Sequence, residues 1–232
     1  MNSVLLLSQQ QQSDDLTFKI DTPYRVAHIK EHLKLTIGDS FKANIVNRGI
    51  ATASILSLTE KEIVVKTTTP QMMKAKSIHL VVGISRPPTM KKILEHGTSL
   101  GVTQFTFVPA QLSEKSYFTS KIYQEEQLLE LLALGLEQSA YFSNWPMVSL
   151  EKHIPSLNDS SKKIILHPDV PDRWNQFDHH SLNKITLAVG PERGWTEDEI
   201  SRFKDLGYHS MSMGSSRLRT EIAVFSALGH LL

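Results

Sequence analysis

The chain has 232 residues, 40% of them hydrophobic and 21% charged, with a formal net charge of +1. That length holds one large domain or two small ones, and the near-neutral balance leaves any nucleic-acid partner to local patches. The absence of cysteine excludes disulfides, thiolate zinc sites and a cysteine nucleophile, and it fits a reducing, cytoplasmic compartment.

The opening stretch MNSVLLLSQQQQSDD has one four-residue apolar run and no basic flank, too short for a signal peptide or a membrane span. Residues 4–7 read as an edge strand and 9–15 as an exposed loop. YRVAHIKEHLKL has helical spacing, with Val26, Ile29 and Leu33 on one face. FKANIVN, IATASILSL and EIVVKTT then read as strands, joined by turns at NRG and TEKE. Residues 1–72 thus form a small β domain, and the boundary falls near TTTPQMMKAK.

Residues 73–232 alternate β and α. Strands are expected at 78–84, 105–108, 164–166, 185–189 and, more weakly, 208–213. Helices are expected near 89–100, 121–140 and 197–206, and TEIAVFSALGHLL closes the chain as an apolar helix. Such alternation predicts a mostly parallel sheet covered on both faces.

The stretch TLAVGPERGWTEDEI decides the kind of site. A buried strand ends at Gly190-Pro191, and Thr196 with Glu199 fits a capping box, with Trp195 and Ile200 placed to staple it. Three carboxylates in the first helical turn already complement its positive end and would repel a phosphate. No GxGxxG or Walker loop is present. The loop therefore suits a neutral or cationic ligand. A second glycine loop, MGSSRLRTE, follows about twenty residues later, and IILHPDV supplies a third strand end.

GPERGWTEDEI, MGSSRLRTEIA, IILHPDV, LGVTQFTFVPAQLSEKS and LEQSAYFSNWP together resemble the bacterial 16S rRNA (uracil-N3)-methyltransferases of the RsmE type, in the SPOUT superfamily. The resemblance covers nearly the whole chain. It implies an N-terminal PUA-like β-barrel that binds RNA, then a SPOUT α/β domain with a C-terminal trefoil knot. It also implies S-adenosylmethionine as cofactor, small-subunit rRNA or the 30S subunit as partner, and a homodimer using the last helix, with no metal and no membrane.

By the same resemblance, Leu166, His167, Gly190, Pro191, Glu192, Gly194, Met213, Gly214, Leu218 and Thr220 would bind the cofactor. Arg219 would supply a cation over the developing charge or orient the target nucleotide. Glu221 or Glu192 would take the uracil proton, or instead pair with an arginine or cap a loop. Arg25, Lys30, Lys34, Arg86, Lys91, Lys115, Arg193 and Arg217 would contact RNA; the basic stretches 19–48 and 74–92 carry most of these.

Several positions depart from the family pattern. GPEGG becomes GPERG at Arg193, and QKATELG becomes EHGTSLG with His96 and Ser99. An arginine is lost near Tyr141, Ser216 replaces an arginine with Arg217 one residue on, and Lys115 replaces the arginine of SERS. The alternative reading is therefore a non-catalytic or retargeted RNA-binding relative. His179-His180 reads as a surface loop, and Trp145 and Trp174 as packing residues.

Overall fold

In the computed structural model, residues 3–157 and 159–232 are described. Two compact units account for them.

The first unit takes residues 3–74 together with 136–145. It contains β1 (Val4–Leu6), β2 (Thr17–Ile20), α1 (Pro23–Ala27), β3 (Ser40–Ile45), β4 (Gly49–Leu58) and β5 (Ile63–Thr67). The five strands form one sheet in the order β1-β3-β4-β5-β2, antiparallel except for β1 beside β3. Alternation does the work expected of it. Ile63, Val65 and Thr67 turn inward on β5 while Lys66 stays out, and the inward set closes over Phe18, Ile20, Val26, Ile29, Phe41 and Ile55.

The helical segment departs from the sequence reading. Pro23 starts α1, but a π turn follows at His28–His32, where Leu33 N–H donates to His28 O at 2.9 Å. The wider turn rotates Leu33 off the apolar face, so Val26 and Ile29 are buried whereas Leu33 is 41% exposed.

The second unit takes residues 75–135 and 146–232. Its elements are β6 (Ser77–Gly83), α2 (Pro87–Ser99), β7 (Val102–Val108), α3 (Glu125–Ser139, which runs into the first unit's segment), β8 (Met147–Leu150), β9 (Lys162–Leu166), β10 (Lys184–Val189), α4 (Glu197–Asp205), β11 (His209–Met211) and α5 (Thr220–Leu231). All six strands are parallel, in the order β11-β9-β10-β6-β7-β8. The central strands β6 and β10 are buried along nearly their whole length, as a parallel sheet covered on both faces requires.

One face carries Val81, Ile165, Ala188, Trp195, Ile200, Phe203 and Tyr208, under α4. The same face also holds polar groups that pair with one another. His79 Nε2 lies 2.8 Å from Thr106 Oγ1, which lies 3.1 Å from Ser149 Oγ. Burial pushes the His79 imidazole down to about 4. On the opposite face α2 packs against α5.

Candidate active site

The carboxyl ends of β10, β9 and β11 lie side by side, because these strands are hydrogen-bonded neighbours. The segments leaving them enclose a cleft of about 180 Å³. A single water needs about 10–15 Å³ on that measure, so the cleft has room for an organic molecule.

Each wall has a local cause. The loop after β10 turns tightly because Gly194 adopts φ +76°, a region that favours glycine, and its N–H donates to Pro191 O at 2.8 Å. The far end of that loop is fixed by the capping box. Thr196 N–H and Oγ1 donate to Glu199 Oε2 at 2.8 and 3.0 Å, and Glu199 N–H donates back to Thr196 Oγ1 at 3.3 Å. Glu199 Oε1 also accepts from Gln111 N–H at 2.9 Å, so this buried carboxylate ties the loop after β7 to α4. Trp195 and Ile200 share one hydrophobic cluster, and Trp195 meets Phe203 edge-on at 4.9 Å.

The loops after β9 and β11 are joined by Ser212, which is 1% exposed. Its hydroxyl donates to Pro168 O at 2.9 Å and accepts from Gly214 N–H at 3.2 Å. Its backbone N–H donates to Asp172 O, and its carbonyl accepts from Trp174 N–H. Across the rim Arg217 Nη2 reaches Asp169 Oδ2 at 3.0 Å.

All ten residues expected at the cofactor line this one cleft: Leu166, His167, Gly190, Pro191, Glu192, Gly194, Met213, Gly214, Leu218 and Thr220. Pro168, Val189, Trp195, Ser216 and Ala223 line it as well. Ser212, in the mixed stretch YHSMSMGSS, and Ala223, in the apolar run of the last helix, carry no mark in the sequence.

Residues 72–232 match the family described as RNA methyltransferase domain. The ribosomal RNA small subunit methyltransferase E of Treponema pallidum is 33% identical over 221 residues, covering 90% of this chain and 82% of that protein. The chain belongs to the ribosomal RNA small subunit methyltransferase E family. A second relative, methyltransferase E 1 of Borreliella burgdorferi, is 27% identical over 88% of this chain and 87% of its own length. Among solved structures, the Neisseria gonorrhoeae methyltransferase E bound to S-adenosyl methionine superimposes with a TM-score of 0.74 at 21% identity, covering 98% of this chain and 95% of that one. A Legionella pneumophila protein solved with the cofactor SAM gives 0.75 at 21% identity, covering 100% and 97%. These likenesses show that the chain shares their α/β fold.

Within this family fold the candidate catalytic groups separate. Glu192 is exposed, lines the cleft, and accepts a 3.0 Å hydrogen bond from Arg86 N–H through Oε1. Glu221 does not line the cleft. It is buried in the first turn of α5, with Oε1 3.5 Å from Lys92 Nζ on α2. Arg219 is the exposed N-cap residue of α5. At the departures from the family pattern, His96 packs edge-on against Phe225 at 5.5 Å, and Ser99 Oγ donates to His96 O at 2.8 Å. Ser216 and Arg193 line the cleft. Tyr141 donates its hydroxyl to Lys74 O at 3.2 Å within the first unit.

The expected RNA contacts also sort by environment. Arg86, Lys91, Lys115, Arg193 and Arg217 are exposed in the second unit. Lys34 is exposed in the first, and Lys30 pairs with Glu60 at 2.5 Å. Arg25 is a correction. It is 4% exposed, and its Nε donates to Glu137 Oε1 at 2.5 Å, so its charge is neutralised inside the first unit. His179 is a second correction: it is buried rather than on the surface, with Nδ1 2.8 Å from Lys76 Nζ. Trp174 packs against Phe177 and His230.

Among the described residues no cluster of His, Asp and Glu is arranged to hold a metal ion. None of their helices is long and apolar enough to cross a membrane.

Proposed function

We propose that this chain transfers a methyl group from S-adenosylmethionine to N3 of a uridine in 16S rRNA, on the 30S subunit or its RNA. The observation that carries this reading is the convergence of the ten expected cofactor residues, from three separate strand-end stretches, on one cleft. The cleft suits the ligand in kind. Leu166, Val189, Met213, Leu218 and Ala223 give apolar walls, and Glu192 is an anionic group on the rim. A Cβ on Gly194 or Gly214 would meet nothing within 4 Å, so these glycines leave open space where backbone groups can approach an adenosine or methionine moiety.

The bound cofactor would supply an electrophilic methyl on a sulfonium. The protein's residues would do the rest. Backbone groups around Gly190, Met213 and Leu218 hold and orient the ligand. The N3 proton must leave before or during attack, and Glu192, the carboxylate that lines the cleft, is the group assigned to take it. The negative charge that develops on the uracil oxygens needs a nearby cation. Arg219, at the mouth of α5, is assigned that task or the orientation of the nucleotide. Glu221, held by Lys92, anchors α5 rather than moving a proton.

The wider reading follows the same family. Residues 1–72 form a PUA-like barrel that binds RNA, with Lys30 and Lys34 on its surface. Residues 73–232 form the methyltransferase domain. The crossing strand order β11-β9-β10-β6 supports a trefoil knot around the cleft. Ile222 at 45% and Leu218 at 39% exposure leave apolar area on and beside α5, which supports a homodimer there. The protein works in the cytoplasm without a metal.

Isothermal titration with S-adenosylmethionine tests the cofactor assignment. Saturable one-site binding is expected, and no detectable heat at high micromolar concentrations would overturn it.

A further inference from the structure

We infer that Arg86, Tyr117 and Glu192 form the subsite that receives the acceptor base, on the β6–β7 side of the cofactor cleft. This deepens the methyl-transfer reading above and rests on it. Glu192 is the hinge of the argument, because it belongs to both places. It lines the cleft formed by the β9, β10 and β11 loops, and its Oε1 accepts the Arg86 N–H at 3.0 Å. The loop after β6 is pressed onto the loop after β10 at Gly83, where an added Cβ would lie 2.5 Å from Pro191 Cδ. The segment after β7 is tied to the same place by Ser113, whose hydroxyl donates to Ile84 O at 2.6 Å. That segment carries Tyr117, whose phenol sits beside the Arg86 guanidinium and, with Glu192, holds it above its ordinary value. Tyr117 is half-buried, and among the described residues no other aromatic ring packs against it.

These groups suit uracil. A single-stranded base is held by an aromatic ring or a guanidinium plane against its face and by hydrogen bonds at its edge. Arg86 offers only donors, which match O2 or O4 of uracil, and the Glu192 carboxylate offers only acceptors, which match N3–H. Cytosine presents a lone pair at N3, which opposes the Glu192 carboxylate, and an amino group at C4, which opposes Arg86 at that edge. When N3 loses its proton to Glu192, the negative charge spreads onto O2 and O4, where Arg86 faces it. The methyl carbon then bonds to N3 as its bond to sulfur breaks, and the bonding pair stays on sulfur. Lys91, Lys115 and Arg193 are exposed nearby in sequence and give the flanking phosphates cationic partners.

The test uses the full chain with 30S subunits that lack N3-methyluridine. For wild type, Arg86→Ala, Arg86→Lys, Tyr117→Ala and Tyr117→Phe, it measures S-adenosylmethionine Kd, then kcat and KM for the subunit at several salt concentrations. Tyr117→Ala is expected to raise KM roughly tenfold or more, as loss of one stacking contact does. Its salt slope should stay that of wild type, since no phosphate contact is lost. Tyr117→Phe should keep most of the affinity. Arg86→Ala should lower kcat and raise KM, with part of kcat restored in Arg86→Lys. Cofactor Kd should change less than about twofold throughout. Unchanged KM and kcat in both alanine variants, with active wild type, would overturn the subsite and leave the methyl-transfer reading standing. Loss of cofactor binding in those variants would show that the residues only brace the loop, and would also overturn it. Wild type that binds no cofactor would overturn both.

Discussion

The backbone N–H of Arg86, at the start of α2, donates a 3.0 Å hydrogen bond to Oε1 of Glu192, in the loop after β10. This bond holds one oxygen of an exposed carboxylate that lines the cleft. It distinguishes Glu192 from Glu221, whose carboxylate is buried and paired with Lys92. Glu192→Gln preserves the Arg86 hydrogen bond but removes the proposed proton acceptor. It should lower kcat by about 10²- to 10⁴-fold while S-adenosylmethionine affinity falls little. Single-turnover methylation beside calorimetry checks this.

Glu221→Gln should behave differently. It removes the ionic partner of Lys92 but leaves Lys92 exposed to water. The expected result is a modest loss of thermal stability, about 1 kcal/mol, with the chemical step slowed far less than in Glu192→Gln. Melting temperatures and single-turnover rates on the same samples separate the two roles.

Gly83→Ala tests how tightly the loops after β6 and β10 are pressed together. The new Cβ would meet Pro191 Cδ at 2.5 Å and Pro191 N at 2.9 Å, and the backbone atom cannot swing away. Relief requires the Gly190–Gly194 turn to move. Cofactor affinity should fall by about tenfold or more, in line with an overpacking cost of about 1–3 kcal/mol. Calorimetry reads the affinity, and circular dichroism reports whether the sheet is intact.

The capping box should be worth measurable stability. Thr196→Ala removes one cap and should cost about 1 kcal/mol. Glu199→Ala should cost more, about 2 kcal/mol, because it strands both Thr196 N–H and Gln111 N–H. Urea titrations of both variants give the order.

His79 predicts an acid sensitivity. Burial holds its folded-state value at about 4, against 6.5 for a free histidine. The unfolded chain therefore binds a proton that the folded chain excludes between those values, and stability rises with pH across that window. The contribution is fully present above about 6.5 and is lost as pH falls to about 4, to a total of about 3 kcal/mol. Stability of wild type and His79→Gln at pH 7.5 and 4.5 should diverge in slope, with the variant less acid-sensitive.

Much of the fold was legible where the chain punctuates itself. Gly190-Pro191, the Thr196–Glu199 box and Gly214 mark strand ends and a helix start, and each is found there. Two strands were invisible. Thr17–Ile20 and Met147–Leu150 are four residues each, too short for alternation to rise above chance. Leu33 was misplaced because a π turn changes the helical period, which a fixed 3.6-residue template cannot register. The site was legible as loops, but not as partners. Arg25 looked like a surface cation because Glu137 lies 112 residues away. The backbone bond from Arg86 to Glu192 was equally illegible, since the two lie 106 residues apart. Ser212 gave no signal at all, although its hydroxyl links the β9 and β11 loops.

The central claim is methylation of uridine N3 in small-subunit rRNA. Nucleoside mass spectrometry of 16S rRNA from cells lacking this gene tests it most directly. The account predicts that N3-methyluridine disappears and returns when wild-type protein is restored, but not with Glu192→Gln. N3-methyluridine persisting unchanged in the deletion strain would contradict it.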